Sequence, residues 1–208
     1  MSVPIAVDAM GGDYAPQSAV EGAVRAAVDD LATILLVGDR PRVEAELARY
    51  PEAARLDGRI TIVHAEEVVG MDEPAITPIR KKRRSSIRIC AELIKDRRAQ
   101  AMVTAGNTGA AMIAAKMVIG TLPGVDRPAL AAVFPNPRGF TVVLDVGANV
   151  DSKPEHLREF AVMGHFYAQE VIRTPSPRIG LMSIGEEEGK GTDLTREVFK
   201  ALKTTGLN

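Results

Sequence analysis

Short apolar runs alternate along this chain with longer stretches whose apolar positions recur at helical spacing. Val3–Val7 is the first such run, and Gln17–Asp30, preceded by Pro16, carries alanines and valines at helical intervals. Thr33–Val37 (TILLV) predicts a second strand, closed by Gly38 and Asp39, and Pro41–Arg49 a short helix with proline in its first turn. Arg59–His64 alternates as a third strand does. Ala65–Pro78 is irregular, with Pro74 and Pro78 as breakers. Ser85–Arg97 is amphipathic: Ile87, Ala91 and Ile94 line one side, Arg88, Glu92 and Lys95 another. Ala101–Thr104 predicts a fourth strand and Ala110–Ile119, small and apolar, a buried helix. Ala129–Phe134 and Phe140–Asp145, joined by PNPRG, predict an antiparallel hairpin within 129–145. Glu155–Ile172 reads as a long helix, Arg178–Ser183 as the last strand, and Asp193–Leu202 as the final helix.

Strands separated by helices predict an α/β fold, a mainly parallel sheet with helices on both faces. No repeat, low-complexity tract or linker interrupts the pattern, so residues 1–208 are expected to form one domain. In such sheets ligands bind beyond the carboxyl ends of the strands. Four loops at those ends share one chemistry: DAMGGD, TAGNTGA, LDVGAN and IGEEEGKGTD. Each joins glycine, which lets backbone N–H groups approach a ligand, to Asp, Asn or Thr. The last holds Lys190 between two glycines, a point charge beside exposed donors. Together they suit an oxyanion or a phosphate.

Composition narrows this further. Hydrophobic residues are 46% of the 208, enough for a core, and net charge is −1, so no global field draws the chain to nucleic acid or membrane. Tryptophan is absent and aromatics are 4%, which argues against base-stacking surfaces. The single cysteine, Cys90, falls in a helical apolar pattern and is expected to be a buried, inert thiol. The start has no basic, apolar leader pattern, and no run has the length of a bilayer span, so the expected location is a reducing cytoplasm.

Competing chemistries fail on spacing. A nucleotide P-loop needs glycine at position 184 and Ser or Thr after Lys190; the chain has Ile184 and Gly191, and Glu186–Glu188 would repel a triphosphate. The dinucleotide pattern GxGxxG follows no strand, and neither GxSxG nor HExxH occurs. His64, His156 and His165 are scattered and read as structural. A site of backbone donors, amides and one lysine, without a nucleophile and base, suits direct attack by a bound nucleophile on an activated carbonyl. Inorganic phosphate, already ionised, needs positioning more than deprotonation.

VDAMGGDYAP, RKKRRSSIR, TAGNTGA, RPALA, LDVGAN and IGEEEGKGTDL, in this order from Val7 to Leu194, resemble the phosphate acyltransferase family PlsX. The resemblance covers nearly the whole chain. It implies a fold related to the isocitrate dehydrogenase-like and phosphotransacetylase group. It also implies a reaction: a fatty acyl group passes from acyl carrier protein to inorganic phosphate. The acyl phosphate then feeds a downstream glycerol-3-phosphate acyltransferase in phospholipid synthesis, with no cofactor or metal. Members are homodimers, and the expected setting is the cytoplasm with peripheral contact at the inner face of the cell membrane. Alternatives on the same fold are a phosphotransacetylase-like enzyme using coenzyme A thioesters and an inactive carrier-binding fragment.

Residue by residue, the resemblance implies that Lys190 is catalytic. Asp8, Gly11, Gly12 and Asp13 would line the pocket floor. Gly106, Asn107, Thr108 and Gly109 would meet phosphate at the start of a helix. Asp145, Gly147, Ala148 and Asn149 would form a facing loop, with Gly185 in the Lys190 loop, and Glu186–Glu188 would hold Lys190 charged and aimed. For Asp8 and Asp145 the alternative is loop bracing. Arg80, Lys81, Lys82, Arg83, Arg84 and Arg88 form the densest positive cluster, expected either to dock the acidic carrier protein or to be a solvated charged face. Placed before a helix, these cations oppose its dipole, and Ser85 or Ser86 would cap it. Members are roughly half as long again as this chain, so these 208 residues alone are expected to be poorly stable and inactive.

Overall fold

The protein is seen in a computed structural model that describes residues 4–56, 58–147, 149, 151–185 and 190–208. The chain forms two compact units, Met1–Gly120 and Thr121–Asn208.

The first unit is built on a parallel sheet. Its strands are β1 (Pro4–Asp8), β2 (Thr33–Gly38), β3 (Ile60–His64) and β4 (Ala101–Val103), in the spatial order β3-β2-β1-β4. Each lies where an apolar run predicts it. The register pairs Val7 with Leu36 and with Val103, so the carboxyl ends of β1 and β4 emerge side by side. Alternation along the strands then sorts side chains between two faces. Ile34 and Leu36 pack with Val20, Ala23, Val24 and Ala27 of helix α1 (Gln17–Val28). Ala6 and Val37 turn the other way, onto Cys90 and Leu93 of helix α4 (Ser86–Lys95). Helices therefore cover both faces. Each fully buried valine or leucine in these two layers contributes about 1.5–3 kcal/mol.

The chemistry at the helix ends explains the boundaries. Asp39 caps α2 (Arg40–Leu47), its carboxylate accepting the Arg42 N–H at 3.2 Å, with Pro41 in the first turn. Helix α3 (Ile76–Lys81) lies in the stretch whose prolines predict irregularity. Pro78 is its third residue, where a missing N–H costs no hydrogen bond, so it starts a helix here instead of breaking one. Helix α5 (Thr108–Ala114) starts two residues before the predicted Ala110 and continues as a π-helical turn, Ala115–Ile119. Cys90 is fully buried, and burial, followed by the charge of Asp8, pushes its thiol well above the usual range. It is inert, as its position in the pattern predicts.

The second unit contains the hairpin, β5 (Ala131–Asn136) and β6 (Gly139–Leu144), paired antiparallel from Ala131↔Leu144 to Asn136↔Gly139. Asn136 shapes the two-residue turn by accepting the Arg138 N–H at 2.8 Å, and Gly139 takes φ +138°. Two helices follow, α6 (Pro154–Glu170) and α7 (Asp193–Lys203). The first turn of α6 is latched by His156, which is 3% exposed. Its Nδ1 accepts the Lys153 N–H at 3.2 Å, so the ring proton sits on Nε2 and is donated to Asp126 at 3.1 Å.

The expected strand at Arg178–Ser183 is not one. The segment pairs with no strand among the described residues; Ile179 donates its N–H to the carbonyl of Asn208, and Met182 and Ile184 are 81% and 86% exposed. An apolar run becomes a strand only where its backbone groups pair with a sheet edge, and among the described residues this one pairs with none.

Candidate functional site

Beyond β1 and β4, the first two glycine-rich loops are fastened together. Asp8, the last residue of β1, is 3% exposed. Its Oδ1 accepts the Met10 N–H at 3.1 Å and its Oδ2 accepts the Thr104 hydroxyl at 2.8 Å. Thr104 in turn accepts the Gly106 N–H at 3.0 Å. The sequence pattern offers no reason to single out Thr104, yet it ties the two loops. The backbones come so close that a Cβ on Gly11 would lie 2.7 Å from the Gly106 nitrogen and 2.8 Å from both Asp8 Oδ2 and Thr104 Oγ1. Gly12 has φ +101° beside Ala105, a conformation only glycine adopts freely. Asp8, Gly11, Gly12 and Gly106 thus form one packed cluster, while Asp13 lies exposed at its margin.

Asn107 has two tasks. Its Oδ1 caps α5 by accepting the Ala110 N–H at 2.9 Å. Its Nδ2 donates to the carbonyls of Gly70, Met71 and Glu73 at 3.3, 3.0 and 2.8 Å, clamping that segment to the helix start. The backbone N–H groups of Thr108 and Gly109 have no acceptor among the described residues. They are two of the first N–H groups of a half-exposed helix, which have no partner within the helix itself.

The basic run is stitched to acidic residues upstream. Lys82 Nζ donates to Glu73 Oε1 at 2.6 Å and to the Val68 carbonyl at 2.8 Å. Arg84 pairs with Glu66 at 2.8 Å, and its N–H donates to Glu67 Oε2 at 3.0 Å. Arg88 pairs with Glu92 at 3.0 Å and donates to the Ile79 carbonyl at 2.9 Å. Arg80, Lys81 and Arg83 project as exposed charges. The dipole argument reverses for two of them: Arg80 and Lys81 occupy the last turn of α3, where a cation is favoured. Ser85 stands at the N-cap position of α4, but its hydroxyl donates to the Lys82 carbonyl at 2.8 Å and makes no side-chain cap, and the Ser86 N–H donates instead to the Glu67 carbonyl at 3.1 Å. The hydrogen bond from Lys82, and then the Gly70 N–H, hold the Glu73 carboxyl below the usual carboxylate range. Its lowered pKa means its contribution is complete at neutral pH and lost only as pH falls through that lowered value.

In the second unit, Asp145 and Asn149 brace their own loop. Asp145 Oδ1 accepts the Leu130 N–H at 2.9 Å. Its Oδ2 accepts the Asn149 N–H and side-chain amide at 2.7 and 2.8 Å. Asn149 Nδ2 also donates to the Pro128 carbonyl at 3.2 Å, and Gly147 turns the chain with φ +91°. Lys190 is exposed, just before Gly191 (φ +99°) and Thr192, which caps α7 by accepting the Thr195 N–H at 3.2 Å. A Cβ on Gly191 would run into Thr195 Oγ1 and lie 2.7 Å from Ser183 Oγ, so Gly191 is packed tightly between those two residues. Ala148 and Glu186–Glu188, expected to complete the two loops, lie outside the described residues. His64 accepts the Arg40 N–H at 3.3 Å and His156 latches α6, both structural as the spacing implies. Among the described residues no helix is long and apolar enough to cross a membrane.

A parallel sheet covered by helices on both faces, with the loops beyond β1 and β4 packed backbone to backbone, defines the first unit as an α/β fold. The sequence profile of a family described as fatty acid synthesis protein matches residues 3–208. The phosphate acyltransferase of Geotalea uraniireducens (strain Rf4) is 54% identical over 98% of this chain and 58% of that protein. That of Koribacter versatilis (strain Ellin345) is 50% identical over 100% and 59%, and that of Desulforamulus reducens 47% identical over 99% and 61%. The chain belongs to this family, that of the phosphate acyltransferases. It spans about three-fifths of the length of these relatives.

Proposed function

We propose that this chain serves an enzyme that transfers a fatty acyl group from acyl carrier protein to inorganic phosphate, supplying acyl phosphate for phospholipid synthesis. The observation that carries the reading is the fastened pair of loops beyond β1 and β4, with its open amides at Thr108 and Gly109, in a chain about half identical to phosphate acyltransferases. In the proposed step a phosphate oxygen attacks the thioester carbonyl carbon. A C–O bond forms, the C–S bond breaks, and the proton of hydrogen phosphate leaves with the carrier thiolate as a thiol. No covalent enzyme intermediate is needed. Backbone donors hold the phosphate and Lys190 stabilises the negative charge that develops on oxygen.

The test is release of free carrier thiol from acyl carrier protein. Release that requires inorganic phosphate, with acyl phosphate as the co-product, supports the reading. Release from coenzyme A thioesters alone overturns the carrier-protein substrate.

Carrier docking falls to the three outward charges, Arg80, Lys81 and Arg83, because Lys82, Arg84 and Arg88 are committed to Glu73, Glu66 and Glu92. Neutralising those three together is expected to raise the carrier KM about tenfold at low ionic strength and to flatten its salt dependence. A carrier KM in the unaltered protein that ignores salt would remove the docking role.

A further inference from the structure

The basic run contains a residue that faces inward, to the loop that carries the open amides. Lys82, Glu73 and Asn107 form a continuous hydrogen-bonded strut. Lys82 Nζ donates to Glu73 Oε1 at 2.6 Å, and the same oxygen accepts the Gly70 N–H at 2.7 Å. This closes residues 70–73 into a tight turn. The turn offers its carbonyls at 70, 71 and 73 to one amide, Asn107 Nδ2. With Nδ2 saturated by that turn, Oδ1 is left to accept the Ala110 N–H, so the amide orientation of the cap is dictated from outside the helix. A second fastening comes from Lys82 to the Val68 carbonyl at 2.8 Å, which holds the near end of the same segment. The packing is close: a Cβ on Gly109 would lie 2.9 Å from the Ala75 side chain, just past the turn.

We infer that Glu73 and Lys82 are positioning residues for the phosphate-binding loop: through the 70–73 turn and Asn107 they fix where the Thr108 and Gly109 N–H groups point. The inference rests on the proposed phosphate-binding role of those amides. It removes Lys82 from the docking cluster and gives Glu73, which stands in the irregular stretch before α3, a task in the binding step. Neither side chain touches the ligand. Both act through a single amide, so a small change in the turn is transmitted to donors that must lie within hydrogen-bonding reach of the anion.

The experiment is a titration of the protein with inorganic phosphate, read as amide chemical-shift changes at Thr108 and Gly109, together with hydrogen exchange at Ala110. In the unaltered protein both amides are expected to move with phosphate. If they do not, the phosphate reading of the site fails and the inference with it. Where the unaltered protein titrates, Glu73→Ala is expected to weaken the midpoint roughly tenfold and to speed exchange at Ala110, which Glu73 does not contact. Glu73→Gln keeps an acceptor at the same place and is expected to restore most of both. A Glu73→Ala midpoint equal to that of the unaltered protein overturns the inference while leaving the phosphate reading intact. Lys82→Met leaves the Gly70–Glu73 bond in place and decides the matter if Glu73→Ala does not fold. It is expected to weaken phosphate binding several-fold, and an unchanged midpoint again overturns the inference.

Discussion

Lys190→Ala is expected to lower phosphate-dependent thiol release about 10²–10³-fold with the fold unchanged. The side chain is exposed, and the neighbouring Gly191 packs against Ser183 and Thr195, contacts that do not depend on the ammonium. Its loss therefore leaves the α7 cap at Thr192 in place. The thermal unfolding midpoint is the control and should not move. Lys190→Arg keeps charge but not the compact, rotatable donor geometry, and partial activity is expected. If Lys190→Ala turns over at a near-normal rate, negative charge in the transition state is stabilised elsewhere and the catalytic role is gone.

The second large effect concerns the backbone. Gly11→Ala is expected to destabilise the protein by roughly 1–3 kcal/mol. The new methyl group would meet the Gly106 nitrogen at 2.7 Å, and backbone cannot yield as a flexible side chain can. The two loops would have to part, breaking the bond from Thr104 to Asp8 and exposing a buried carboxylate. Gly22→Ala supplies the contrast. Gly22 lies within α1 with nothing inside 4 Å of the added Cβ, so the same substitution should stabilise by about 0.5–1 kcal/mol. Urea unfolding of the two variants should give shifts of opposite sign. A neutral Gly11→Ala would mean that the loops are not held at this distance in solution.

Where period and burial agree, the fold was legible in advance. Thr33–Val37, a continuous apolar run, predicts β2, which is buried along most of its length, and the alternation of Arg59–His64 predicts β3, which pairs beside it from Ile34↔Ile60 to Gly38↔His64. The hairpin was legible from its turn residues. Arg178–Ser183 was not, because an apolar run does not report whether a sheet edge lies beside it. Ile76–Lys81 was hidden by Pro78, since a proline that opens a helix and one that ends it look alike without the residues' positions.

The site divides in the same way. Glycines at 11, 12 and 106 are visible because their chemistry is in their spacing. The partners of the basic run were less visible: Glu66, Glu67 and Glu73 precede the residues they bind by nine or more positions and reach them only after the segment doubles back. Thr104 opens TAGNTGA but is not singled out within it, since threonine is common at strand ends, yet its hydroxyl joins two loops 96 residues apart.

The His156 latch has a consequence for the mechanics of the hairpin. The bond to Asp126 joins positions 30 residues apart, and the Asp126 N–H donates to Glu159 at 2.9 Å, so both ends of the segment that contains β5 and β6 are fastened to the start of α6. A closed loop of this length is cheap in entropy: each doubling adds only about 0.6 kcal/mol. The hairpin is thus a tethered arm, with Phe134 and Phe140 exposed near its tip and its base held by a neutral imidazole donating to a carboxylate. Replacing that imidazole would remove one of the two bonds at its root and leave the other, from the Asp126 N–H to Glu159, and the ladder between its two strands untouched.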